Sequence, residues 1–108
     1  MTASEADWVD IGAIAEFPEG SVREIIAGGL VLAVAHTAKG LFALDGLCPH
    51  QGGPLGQGKL AGDIVICPWH QFSFEMPTGY CTSSRGLAQK RYEVREQGDR
   101  VVVQIGGD

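Results

Sequence analysis

Apolar residues in this chain come in short runs broken by glycine, proline and aspartate, and nowhere do they recur with a helical period. Residues 22–26 and 30–35 are two β-rich runs separated by Gly28-Gly29. That pair suits a tight hairpin reversal, whose central positions take positive φ. Upstream, Trp8, Val9 and Ile11 can open an edge strand, and Phe17-Pro18-Glu19-Gly20 reads as a turn. Downstream, residues 41–44 form a short strand, and Lys59–Ala61 and Ile64–Ile66 form a hairpin around Gly62-Asp63. In Phe72-Ser73-Phe74-Glu75 the alternation puts both phenylalanines on one face. Residues 76–79 turn, 82–88 form a polar loop, and 90–95 with 100–105 close the chain as a hairpin around Gln97-Gly98-Asp99. The pattern predicts an all-β domain of antiparallel strands, with no internal repeat or low-complexity segment.

A chain of 108 residues is expected to be a single domain over residues 1–108, with no room for a second catalytic domain. The net charge of −5, with no lysine or arginine run, argues against nucleic acid and anionic membrane surfaces as partners. It suits a carrier that docks on basic patches. The longest wholly apolar run, residues 30–35, is far too short to span a bilayer, and no charged-then-apolar leader opens the chain. A soluble, cytoplasmic protein is therefore expected, with residues 1–6 frayed. His36, with no cysteine or acid beside it, reads as a surface or rim histidine.

The candidate chemistry lies between residues 48 and 70. Cys48-Pro49-His50 and Cys67-Pro68-Trp69-His70 are two short clips, each carrying one thiol and one imidazole, so together they offer four metal ligands. Structural zinc sites usually pair cysteine with cysteine in one clip. Mixed clips suit a two-iron centre with both thiolates on one iron and both imidazoles on the other, although a zinc module mediating protein contacts stays open as an alternative. With Cys48 and Cys67 assigned, Cys81 has no partner for a disulfide, as a reducing compartment predicts, and reads as a small buried hydrophobe.

Cys48, His50, Gly52 and Leu55 match C-x-H-x-G-x-x-L, and Cys67, Pro68, His70 and Phe74 match C-P-x-H-x-x-x-F. On these residues the chain resembles the Rieske-type [2Fe–2S] proteins. The resemblance implies a Rieske fold, an antiparallel β-sandwich base with a cluster-binding subdomain inserted at about residues 45–79. It implies one [2Fe–2S] cluster per chain, held by Cys48, His50, Cys67 and His70. It also suggests that Gly46, Gly52, Gly53 and Gly56 let backbone N–H groups approach the sulfides, beside the plainer reading that they are turn glycines.

Respiratory-complex members of that family carry a further cysteine in each loop and two hydroxyl donors. The equivalent positions here are Gly53, Trp69, Phe72 and Phe74, which implies a potential low in the Rieske range and Trp69 as an apolar wall. Two departures are Gln71, commonly glycine, and residues 83–87, where a covering proline is usual. The function implied is a stand-alone ferredoxin carrying single electrons from a flavin-dependent reductase to a terminal oxygenase. The alternative is the small subunit of an assimilatory nitrite reductase, partnered by its large subunit.

Overall fold

The computed structural model describes residues 8–47, 54–68, 72–82 and 86–105. Among the described residues ten strands run in chain order: β1 (Trp8–Ala13), β2 (Ser21–Ala27), β3 (Leu30–Thr37), β4 (Gly40–Asp45), β5 (Lys59–Ala61), β6 (Ile64–Ile66), β7 (Ser73–Glu75), β8 (Arg91–Tyr92), β9 (Val94–Gln97) and β10 (Arg100–Gln104). They form three antiparallel sheets, ordered β1-β10-β9, β2-β3-β4-β8 and β5-β6-β7.

The four-stranded sheet is central because β3 is apolar on both faces. Ala33 and Ala35 join one core with Leu44, Leu55, Val65, Cys67, Phe74 and Met76. Leu32 and Val34 join a second core with Phe17, Ala27, Ala43, Val101 and Val103. The first core seats the β5-β6-β7 sheet and the second seats β1-β10-β9. A strand buried on both sides reads as a continuous apolar run, which is why residues 30–35 show no alternation. The short strands β5, β6 and β7, which cover the first core alone, alternate in burial.

The first two expected hairpins form as read. Gly28 and Gly29, at φ 56° and 83°, bring Ala27 opposite Leu30, and Gly62, at φ 61°, brings Ala61 opposite Ile64. The edge strand is longer than Trp8, Val9 and Ile11 suggested. It carries a bulge between Asp10 and Gly12, where the Gly12 N–H donates to Asp10 Oδ1 at 2.9 Å.

Two short 3₁₀ turns, Ile14–Glu16 and Leu55–Gln57, were not foreseen. The closing hairpin also differs from expectation. Residues 90–95 are not one strand: β8 pairs with β4 through Tyr92 and Arg91, while β9 pairs with β10. Glu93 is where the chain changes sheets, its carbonyl accepting the Gln104 N–H at 2.9 Å. Tyr92 and Val94 both pack on the second core, so the chain keeps its apolar contacts while switching hydrogen-bond partners.

Candidate metal centre

Of the four proposed ligands, Cys67 lies among the described residues. Cys48, His50 and His70 lie outside them, as do Gly52, Gly53, Trp69, Gln71, residues 83–85 and the expected frayed start. The stems that carry these segments are well defined. Strand β4 ends at Asp45, and the chain turns through Gly46 and Leu47. Leu47 then bridges Pro54, and the Leu55 N–H donates to Gly46 O at 2.8 Å, so the first loop is tied off at its base. The second is tied off in the same way, the Cys67 N–H donating to Phe72 O at 2.7 Å.

Both stems rest on one core. Leu55, at the end of the first loop, and Cys67, at the start of the second, are fully buried in the same cluster with Val65, Phe74 and Met76. Strand β6 points the chain into Cys67, and its register, Val65 opposite both Leu60 and Phe74, is set by which residues face that core. A cleft of about 340 Å³ lined by Gln57, Gly58, Lys59, Ile66, Cys67 and Pro68 opens alongside. A buried thiol facing apolar neighbours, and two tied-off loops that together carry two thiols and two imidazoles, fit a two-iron, two-sulfide group.

The glycine expectation needs correction at two of its four positions. A Cβ on Gly46 would stand 2.9 Å from the Leu32 backbone, and one on Gly56 would stand 2.7 Å from the Glu24 Cα. These glycines let the two ends of the first loop approach β3 and β2, and the close approach they permit is to the sheet. Gln57 Nε2 adds a hydrogen bond to Glu24 Oε1 at 2.5 Å beside Gly56. Gly58, which sequence reasoning passed over, is tighter still: a Cβ there would stand 1.9 Å from Ile66 O.

Phe74 is fully buried and Phe72 packs against the same core, so both face inward as the alternation indicated. Cys81 also packs on that core but is only half-buried; it bridges Phe74, and its N–H donates to Leu87 O at 3.0 Å. His36 is half-buried, with Nδ1 2.6 Å from Phe17 O, as suits a rim residue. The residue that sequence reasoning missed is Gln89, which is buried and donates from Nε2 to Asp45 O at 2.7 Å and Leu47 O at 2.6 Å. Beside it, burial and then the Asp45 carboxylate push the Tyr92 phenol above its ordinary value of 10.0.

On the other side of the β5-β6 hairpin, Lys39 Nζ meets Asp63 Oδ2 at 2.9 Å and joins the β3–β4 turn to the β5–β6 turn. The hydrogen bond from Lys39 holds the Asp63 carboxyl below its ordinary 3.8. Among the described residues, no helix is long and apolar enough to cross a membrane.

Known proteins resemble the chain along nearly its whole length. The ferredoxin component of the naphthalene 1,2-dioxygenase system of Pseudomonas aeruginosa is 32% identical over 99 residues, covering 91% of this chain and 95% of the relative. A ferredoxin component of Ralstonia sp. naphthalene 1,2-dioxygenase/salicylate 5-hydroxylase systems is 29% identical over 102 residues. Among solved structures, a chain in the complex of reduced oxygenase and oxidised ferredoxin of carbazole 1,9a-dioxygenase superposes with a TM-score of 0.83 at 28% identity, covering 91% of this chain and 93% of that one. A nitrite reductase small subunit from Mycobacterium tuberculosis superposes at 0.84 but shares 17% identity, a likeness of fold alone. The Rieske [2Fe–2S] domain matches residues 7–105, which sets aside the zinc module; the chain belongs to that family and carries one [2Fe–2S] cluster.

Proposed function

We propose that this chain is a Rieske ferredoxin, a single domain whose cluster is held by Cys48, His50, Cys67 and His70 and which passes single electrons from a flavin-dependent reductase to a terminal oxygenase. The observation that carries this reading is one of extent. The ferredoxin component matches over 91% of this chain and 95% of its own length. The oxygenase component of a 3-ketosteroid-9-alpha-monooxygenase from Rhodococcus rhodochrous matches over 19% of its length. The residues of this chain thus correspond to nearly the whole of a ferredoxin component and to one part of an oxygenase component. The nitrite reductase reading has only a shared fold behind it.

The cluster-binding subdomain corresponds to about residues 45–79, supported by the β5-β6-β7 sheet and the two loop stems. The cluster supplies one-electron redox chemistry, at a potential that neutral imidazole ligands raise relative to four-cysteine ferredoxins. The chain's own residues set the surroundings. Phe72 and Phe74 have no hydroxyl where respiratory relatives carry one, so the reduced state gains no hydroxyl hydrogen bond from those positions. The midpoint potential is accordingly expected near roughly −150 mV, at the low end of the Rieske range. An acidic carrier of net charge −5 suits docking on basic patches, and a cytoplasmic location goes with this role.

The test is purification followed by reconstitution. The protein should be brown, hold about two irons and two sulfides, and give the low average g-value of histidine ligation when reduced. It should also support oxygenase turnover when supplied with a flavin reductase. A colourless protein, or a loaded protein that passes no electrons to any aromatic-ring oxygenase, would sink the reading.

A further inference from the structure

We propose that Gln89 is the positioning residue of the first cluster loop, holding the peptide that enters Cys48. The role rests on the assignment of Cys48 as a ligand. Gln89 lies between the polar loop at 82–88 and β8, yet it is buried, and its carboxamide reaches back to the stem of the first cluster loop. Its two N–H donors meet two carbonyls, Asp45 O at 2.7 Å and Leu47 O at 2.6 Å. Both neighbours are acceptors, so the amide has one orientation that satisfies them. Leu47 O is the carbonyl of the peptide bond to Cys48, and a hydrogen bond to it fixes the plane from which the ligand's backbone departs.

Gln89 is itself anchored by backbone. Its N–H donates to Gly79 O at 2.8 Å, and the next residue's carbonyl, Lys90 O, accepts the Asp45 N–H at 2.8 Å. At Gly79 a Cβ would stand 2.5 Å from Gln89 O, so that glycine is what lets the two segments come so close. The turn after β7, the return from the 82–88 loop and the stem of the first loop therefore converge on one residue, the first two through its backbone and the third through its side chain. A purely apolar residue of the same size would fill the space and take this donor from two part-buried carbonyls.

The experiment compares the loaded full-length protein with Gln89→Met, Gln89→Asn and Val103→Ala, the last being a destabilising change in the opposite core. Iron release to a chelator, the electron paramagnetic resonance of the reduced centre and the thermal midpoint are read on each. Gln89→Met should release iron about tenfold faster than a Val103→Ala protein of matched thermal midpoint, the factor that two lost hydrogen bonds of modest net strength give an opening equilibrium. Its resonance should shift or broaden, while that of Val103→Ala stays at the wild-type position. Gln89→Asn keeps the amide on a shorter arm and should fall between wild type and Gln89→Met; if Gln89→Met yields no folded protein, Gln89→Asn carries the comparison. Iron release that tracks the thermal midpoint alike in all variants, or a wild-type resonance in both Gln89 variants, overturns the positioning role. A wild-type protein that holds no iron would overturn the ligand assignment first, and this role with it.

Discussion

Gly58 and Gly62 lie four positions apart in the same hairpin, and glycine is required at each for a different reason. Gly58 has an ordinary φ of −81° but no space, its missing Cβ falling 1.9 Å from Ile66 O. Gly62 has open space but a φ of 61°. Gly58→Ala should therefore cost about 1–3 kcal/mol through overpacking. Because Ile66 precedes Cys67, it should also lower the iron content of the purified protein. Gly62→Ala should cost about 1–2 kcal/mol through left-handed backbone alone, with iron content unchanged, and Gly62→Asn should recover much of that loss. Thermal melts with iron analysis separate the two; full iron content in Gly58→Ala would show that the β5–β6 junction does not position Cys67.

Strand β3 divides the molecule's two cores between its two faces, and that division can be tested element by element. Val34 is buried in the core shared with β10, and Val65 in the core shared with Cys67. Truncating either to alanine removes the same atoms and should cost about 2 kcal/mol in urea unfolding. Only Val65→Ala should also bleach the visible absorbance of the bound cluster faster at 25 °C; equal bleaching would mean that the cores act as one unit.

The strands themselves were legible because hairpin glycines and apolar runs are local signals, whereas the double burial of β3 emerged with the two cores. The sheet switch at Glu93 was not, since Tyr92 and Val94 carry the same apolar pattern whichever strand their backbones pair with. At the site, spacing pointed to the four candidate ligands, but nothing local marks Gln89. Its burial comes from partners 44 and 42 residues away, Asp45 and Leu47. Gly46 and Gly56 looked like glycines for a bound group because sequence shows how close a backbone can come but not what it approaches.

Across the whole molecule, one exposed ion pair reinforces a sheet and another joins two sheets, and both set how the fold responds to acid. Arg100 makes a two-point contact with Asp10, tying β10 to β1 at the outer edge, and Lys39 ties the central sheet's turn to the β5–β6 turn. The Arg100 hydrogen bond, followed by the Gly12 N–H, holds the Asp10 carboxyl below its ordinary 3.8, and Lys39 does the same to Asp63. A carboxyl whose folded pKa lies below its unfolded one binds its proton more weakly in the native state. Its contribution is therefore complete above the unfolded value, near 3.8, and is lost as pH falls through the lower folded value. Both pairs are solvent-exposed, so each contribution should be small and should shrink further in high salt. Thermal midpoints measured from pH 6 down to about pH 2 should fall less steeply in Asp10→Asn and Asp63→Asn than in the wild type. The variants and the wild type should converge at the acid end, where the wild-type carboxyls are also neutral. Parallel curves, with a constant offset down to the lowest pH, would show that these aspartates act through packing and that the pairs carry no pH-dependent stability.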